Sequence, residues 1–263
     1  VGSEMCIRDR NTCDGYGKMK IGNFVFDKAT YVMSIINLTP DSFYEKSRAT
    51  DDFKSAVSKH ISDGADIIDI GAQSTRPGYT EVGAEEEIKR LAPLWEIIGE
   101  ISVPVSVDTY FTKTAEFALS HGADMINDVW GLRDEGMAEC IADCAASVCI
   151  MHNQYGTEYK KILDDMDAYF EKALNKAIKA GIDKDRICID VGIGFGKTRE
   201  QNFEVLDNLE HFHKFGYPML LGTSRKSLYG GDISSRLVPT LETTAKAFML
   251  SLIHISEPTR LGM

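Results

Sequence analysis

Two stretches of this chain share one design, and it narrows the possible folds more than any other feature. Residues 62–75 read SDGADIIDIGAQST and residues 120–131 read SHGADMINDVWG. In each, a polar helix end meets a glycine, Gly64 or Gly122, that can take the left-handed conformation that stops a helix. A short β-rich run follows at once. A helix returned directly into a strand is the αβ step of a repeating β-α-β chain.

The same rhythm fills the middle of the sequence. Apolar runs bounded by turn residues predict strands at 31–36, 66–70, 103–107, 124–127, 148–151, 186–191 and 219–222. Between them, apolar residues at three- and four-residue spacing predict helices at 51–62, 84–101, 113–121, 135–145, 159–180 and 200–215, with a further helix at 240–249. Strands apolar on both faces, each followed by a helix, pair in parallel through right-handed crossovers. The count fits an α/β fold of the (β/α)8 TIM-barrel type with residues 18–27 as an N-terminal hairpin plugging the floor. An open doubly wound sheet is the rival architecture, which periodicity alone does not separate. With 263 residues, 43% of them hydrophobic, the chain suits one such domain.

A formal charge of −11 offers no basic field for a nucleic-acid backbone, so nucleic acid is not an expected partner. No apolar run approaches the roughly 18 residues that span a membrane. A soluble, cytoplasmic protein is expected. None of the six cysteines forms a Cys-x-x-Cys pair, and they read as buried small hydrophobes.

Both ends break the pattern. One permitted coding of residues 1–10, read on the complementary strand, spells Leu-Ser-Leu-Ile-His-Ile-Ser-Glu-Pro-Thr, which is residues 250–259 of the same chain. The pair resembles a transposon-type sequencing adapter read in both directions. Residues 1–10 and 250–263 are therefore expected to be foreign, leaving 11–249 as the native domain with its eighth strand missing. The competing reading takes 250–255 as an authentic apolar strand.

In a barrel of this type chemistry belongs at the C-terminal ends of the strands. Strand one ends in Asn37-Leu38-Thr39-Pro40-Asp41-Ser42-Phe43, a polar cluster or an Asx-type turn. Strand two runs into Gln73-Ser74-Thr75-Arg76-Pro77-Gly78, with hydroxyls and a guanidinium suited to phosphate oxygens. Asp108 tips strand three and Asn127 and Asp128 tip strand four, each a site residue or a helix cap. Strand five ends at Met151-His152-Asn153, where the histidine is a base, a ligand or structural. Strand six ends in Asp190-Val191-Gly192-Ile193-Gly194-Phe195-Gly196-Lys197, and strand seven in Thr223-Ser224-Arg225-Lys226-Ser227. Acids and amides beside Thr75, Arg76 and Lys226 fit a neutral heterocycle that bears a phosphate.

The motifs NLTPDSF, DIGAQSTRPG, SVDT, IND, IDVGIGFGK and GTSRK occur here in the order and spacing of dihydropteroate synthases, which this chain resembles over residues 31–248. The resemblance implies condensation of para-aminobenzoate with 6-hydroxymethyl-7,8-dihydropterin diphosphate, with Mg²⁺ assisting, sulfonamides as inhibitors and a homodimer. It implies that Asp108, Asn127 and Asp190 bond the pterin edge, that Lys226 contacts the pterin carbonyl region, and that Met151 lines the pterin pocket. Asn37 would help hold Mg²⁺–diphosphate, with Thr75 and Arg76 on the loop over the diphosphate. Phe43, Pro77 and Phe195 would wall the para-aminobenzoate site, with Ser227 near its carboxylate. Asp108, Asp190 and Lys226 would carry the catalysis.

Three departures stand out. Gly71-Ala72-Gln73 replaces the usual Gly-Gly-Glu, Val191 and Ile193 replace Pro and Phe, and Leu252-Ile253-His254-Ile255 replaces a strand with an Arg-x-His pair. From the last, an unclosed barrel with open edges on strands one and seven, low stability and low activity are expected. A pterin-dependent methyltransferase domain or a non-catalytic pterin-binding module are the alternatives.

Overall fold

The computed structural model describes residues 18–27, 30–38, 49–73, 82–224, 226–230, 232, 236, 240, 243 and 253–256. A hairpin of β1 (Met19–Ile21) and β2 (Phe24–Phe26) leads into β3 (Tyr31–Asn37), α1 (Ala49–Ser62) and β4 (Ile67–Gly71). Next come α2 (Ala84–Arg90), α3 (Ala92–Ile97), β5 (Val105–Asp108), α4 (Thr112–Ser120) and β6 (Met125–Asp128). The chain continues through α5 (Met137–Asp143), β7 (Ser147–Met151), α6 (Ile162–Ala180), β8 (Ile187–Asp190), α7 (Arg199–Asp207), β9 (Met219–Gly222) and β10 (Ile253–Ser256). Strands β3 to β10 form a closed barrel, each pair parallel. The doubly wound alternative is thereby excluded.

Each of the seven expected strands is present within two residues of its expected bounds. Two helices are corrected. The segment 84–101 is broken at Leu91, where Pro93 opens the second helix because it lacks the N–H an interior position would need. The segment 200–215 is helical only to Asp207 and then tightens into a 3-10 run, Leu209–Phe215. Helix α7 starts where Thr198 and Gln201 cap each other's backbone N–H groups.

Closure of the barrel corrects the expected open edges. Ile253–Ser256 pairs in parallel with Tyr31–Ser34 of β3 on one side and with Leu220–Gly222 of β9 on the other. An open parallel edge presents a row of unpaired N–H and C=O groups, and a four-residue run containing two β-branched isoleucines satisfies it.

The hairpin plugs the floor as expected. Met19, Ile21 and Phe26 pack beneath Tyr31, Met33, Ile67, Met125, Cys149, Cys188 and Leu220, the apolar lower filling of the barrel. Gly22 turns the hairpin at φ +56°, and a Cβ there would lie 2.0 Å from Asp124 Oδ1. The larger core lies between the strands and the helical ring, where Phe53, Phe170 and Phe212 are fully buried. Among the described cysteines only Cys149 and Cys188 are buried. Cys144 is exposed and Cys140 half-buried, so the reading of all cysteines as core residues is corrected. Among the described residues no helix is long and apolar enough to cross a membrane.

Candidate active site

Strand register alone assembles much of the site. Asn37 pairs with Gly71, Gly71 with Asp108, and Asp108 with Asn127, so these positions lie side by side at the upper end of four adjacent strands. On the opposite arc Met151 pairs with Asp190. Gly71 keeps this row open: a Cβ there would come within 3.3 Å of Asn37 Oδ1 and 3.6 Å of Asp108 Oδ2.

Asn127, Asp190 and Lys226 are each held by a second contact. Asn127, itself buried, donates from Nδ2 to Asp69 Oδ2 at 3.1 Å, which fixes its amide so that Oδ1 is the acceptor end. Asp69 lies one step below the mouth, and burial pushes its carboxyl up while Ser106 and Asn127 pull it back down. Asp190 accepts the Gly192 N–H on Oδ1 at 2.7 Å. Burial raises its carboxyl too, opposed by the positive charge of Lys226, by that backbone bond and by Lys197. Lys226 donates from Nζ to the Ile193 carbonyl and sits 4.7 Å above the Phe195 ring, a cation–π contact. Phe195 packs in turn on an apolar patch of Tyr110, Val129 and Met151, with Phe111 and Trp130 around it.

The structure therefore brings together Asn37, Asp108, Asn127, Met151, Asp190, Phe195 and Lys226. Phe43, Thr75, Arg76, Pro77 and the side chain of Ser227 lie outside the described residues. Two tip residues have other work. Asp128 turns away to accept the N–H groups of Trp130 at 2.8 Å and Leu132 at 2.7 Å. Its carboxyl is pushed up to about 6 by burial, against those same bonds. His152 is structural: it is buried, its Nδ1 accepts from Lys197 at 3.0 Å, and desolvation drives it down to about 2.

Gln73 explains one departure from the expected motif. Its amide donates to Glu87 Oε1 at 2.8 Å and to the Tyr110 hydroxyl at 3.3 Å, and accepts the Val82 N–H at 3.3 Å. Glu87 is fully buried and also accepts from Thr109 at 2.7 Å, next in sequence to Asp108. The carboxylate of this corner thus comes from Glu87. An amide can donate to it, whereas a second carboxylate could not without sharing a proton.

The roles of Asp69, Glu87 and Lys197 were missed in the sequence. A signal existed for the first: an acid inside the fully buried run Ile67–Gly71 must serve a partner.

Comparison with known proteins agrees with this geometry. The model of the pterin binding enzyme family matches residues 33–252. A dihydropteroate synthase of Clostridium beijerinckii is 43% identical over 241 residues, covering 89% of this chain and 90% of that protein. The chain belongs to the dihydropteroate synthases. Among solved dihydropteroate synthases, that of Clostridium difficile in the presence of pteroic acid superposes with a TM-score of 0.82 at 42% identity, covering 86% of this chain and 90% of that one. The Burkholderia cenocepacia synthase complexed with 7,8-dihydropteroate superposes with a TM-score of 0.81 at 30% identity, covering 91% of each chain. The described rim sets two acids and an amide at the upper ends of its strands.

Proposed function

We propose that this chain condenses 6-hydroxymethyl-7,8-dihydropterin diphosphate with para-aminobenzoate, releasing pyrophosphate and forming 7,8-dihydropteroate. The observation that carries this reading is the acid–amide set of Asp108, Asn127 and Asp190 at one level of the barrel mouth, with Lys226 within reach of Asp190. Carboxylates accept from the amino and ring N–H groups of a pterin edge, and the oriented Asn127 oxygen adds a third acceptor. Lys226 offers a donor to the pterin carbonyl region, and the Met151–Phe195 patch offers an apolar wall to the flat substrates.

The chemistry follows from the charges. The bond from the pterin methylene to the diphosphate oxygen breaks, and the electron pair leaves with the diphosphate. The methylene is left with carbocation character shared with the pterin ring. Buried carboxylates bound to that ring are stabilised most when the positive charge is largest, in the transition state. The arylamine nitrogen then forms the new C–N bond and loses its proton to solvent. No covalent enzyme intermediate is needed.

Mg²⁺ fits the rim as a guest of the substrate. Among the described residues no group of three or more acids, histidines or cysteines could hold an ion. Asn37 Oδ1, left uncovered by Gly71, is an oxygen donor of the hard type Mg²⁺ takes alongside substrate phosphates. When bound, the ion would neutralise charge on the departing diphosphate. Thr75 and Arg76 belong to the same proposal as diphosphate contacts. Phe43 and Pro77 belong to it as arylamine walls, and Ser227 as a partner of the arylamine carboxylate. It extends to competition by sulfonamides and to a cytoplasmic homodimer.

The test is pyrophosphate release by the purified chain with each substrate alone and with both. Release that requires both is expected. Pterin binding in calorimetry with no turnover would replace the synthase with a binding module.

A further inference from the structure

Lys197 follows the glycine-rich loop in sequence and lies beneath it. The residue is only 8% exposed, and Nζ has three acceptors, the Gly192 carbonyl at 2.9 Å, the Phe195 carbonyl at 3.0 Å and His152 Nδ1 at 3.0 Å. That matches the three N–H groups of an ammonium one for one. A loop that needed only packing would be served at lower cost by an apolar side chain, because burying a charge is expensive.

The other ends of these contacts are informative. Gly192 gives its carbonyl to Lys197 and its N–H to Asp190. Phe195 gives its carbonyl to Lys197 and its ring to Lys226. Ile193, between them, gives its carbonyl to Lys226. The loop has little freedom elsewhere: Tyr159 donates to the Gly196 carbonyl at 2.7 Å, and Asn202 accepts the Gly194 N–H at 2.6 Å. At Gly192, with φ +65°, a Cβ would lie 2.0 Å from the His152 carbonyl, so the loop rests directly on the end of β7.

We propose that Lys197 is a positioning residue for the site, holding from below the loop that carries Phe195, the arylamine wall, and that ties Lys226 and the backbone-bound oxygen of Asp190 on the pterin side. The inference rests on the synthase reading, yet its structural core does not depend on turnover. Lys197 never touches substrate in this scheme. Its protonation state sets how many of its three acceptors it satisfies.

Burial lowers Lys197 to about 7, opposed by Asp190 and assisted by Lys226. The groups facing it are His152 at the end of β7, Asp190 at the end of β8 and Lys226 after β9, with Arg133 and Tyr159 around His152. His152 stays neutral at any working pH. As pH rises through about 7, Nζ sheds one proton and keeps two donors for three acceptors, so one of its ties, to a loop carbonyl or to His152 beneath the loop, is lost and the remaining contacts rearrange.

The experiment pairs Lys197→Met with the wild-type chain. Backbone amides of glycine-labelled protein are followed by NMR from pH 5 to 9, and KM for para-aminobenzoate and kcat are measured over the same range. In the wild type, loop glycine signals titrate with a midpoint near 7, and KM for the arylamine rises through the same midpoint. In Lys197→Met the titration vanishes, and KM is raised about tenfold at all pH values with a smaller change in kcat. A flat wild-type titration overturns the inference without any variant. So does a variant whose KM and pH profile match the wild type while only its melting temperature falls. If the wild type binds pterin without turnover, the synthase reading fails, and the glycine titration still decides whether Lys197 sets the loop.

Discussion

The barrel mouth is built in two different ways on its two sides. Around β6, β8 and β9 three polar groups are braced: Asn127 on Asp69, Asp190 on the Gly192 N–H, Lys226 on Ile193 and Phe195. Around β3 and β10 the described rim offers Asn37 beside the gap at Gly71, and a strand whose residues are Ile253, His254, Ile255 and Ser256. Under the proposed function the first side would hold the heterocycle, whose orientation must not change during reaction, and the second would take the diphosphate with its own charge and cation. Orientation needs a buried scaffold, whereas charge neutralisation needs only nearby cations.

The largest expected effect lies on the braced side. Asp190→Asn should lower kcat/KM by about 10²–10³-fold, since it removes a buried charge that stabilises the transition state. Asp128→Asn, two strands away and also buried, should change kcat/KM less than about threefold, because its carboxylate serves the backbone turn of Trp130 and Leu132. Equal losses in the two variants would show that the mouth responds to any buried acid, and the contrast between bracing and turn-making would collapse.

The next effect is a gain on the other side. Leu252→Arg would place an arginine two residues before His254, restoring the Arg-x-His pattern that the family resemblance implies for this strand. KM for the pterin diphosphate should fall about tenfold, the value of one charge-assisted contact. Affinity for the same pterin without its diphosphate should not move. Equal tightening of both ligands would mean that the arginine acts on the braced side instead.

The two sides also differ in how far they could be read from the sequence. Strand runs such as Tyr31–Asn37 and Met219–Gly222 are legible because β-branched and apolar residues end sharply at polar or glycine residues. Parallel strands of a barrel end at one level, so Asp108, Asn127 and Asp190 could be placed together from tip positions alone. The braces could not. Asp69 meets Asn127 across 58 residues and Lys197 meets His152 across 45, and no local pattern encodes such a meeting. The break at Leu91 was missed because the apolar period of 84–101 runs through Pro93. Closure by Ile253–Ser256 was missed for another reason. Pairing of a four-residue isoleucine run depends on the free edges of β3 and β9, whatever the origin of the run. The expected foreign origin of residues 250–263 remains open to one direct check, sequencing the genomic locus outward from the codons of residues 11–249.

A smaller effect tests the brace under the glycine loop through stability. Lys197 titrates near 7 in the folded chain and near its ordinary 10.5 when unfolded. Between these values the unfolded chain holds a proton that the folded chain has released. Raising the pH through that window therefore favours the folded state, by at most about 1.4 kcal/mol per pH unit. Below pH 7 both states are protonated and the burial penalty is felt in full. Denaturant melts of the wild type and Lys197→Met should thus converge in pH dependence below about 6 and diverge above 7, with the wild type gaining relative to the variant. A constant offset across the whole range would mean that Lys197 keeps its charge in the fold.

The smallest effect on chemistry is expected at the opposite end of the barrel, where Gly22 turns the hairpin that plugs the floor. Gly22→Ala places a methyl against Asp124 and forces a left-handed backbone on a residue that resists it, so about 1–3 kcal/mol of stability should be lost. The damage should stay local. Asp124 ties β6 to β5 through the Val105 N–H at 2.9 Å, at the lower ends of these strands, while Asp108 and Asn127 stand at their upper ends. The apolar filling of Met33, Ile67, Met125, Cys149 and Cys188 lies between. Both KM values should therefore stay within about twofold below the melting temperature, because a close-packed filling moves as a unit or unfolds as a unit. A shift in KM for the pterin substrate at full folding would show that the floor and the mouth are coupled, and the braces beneath Asn127 would then have to extend down to the hairpin.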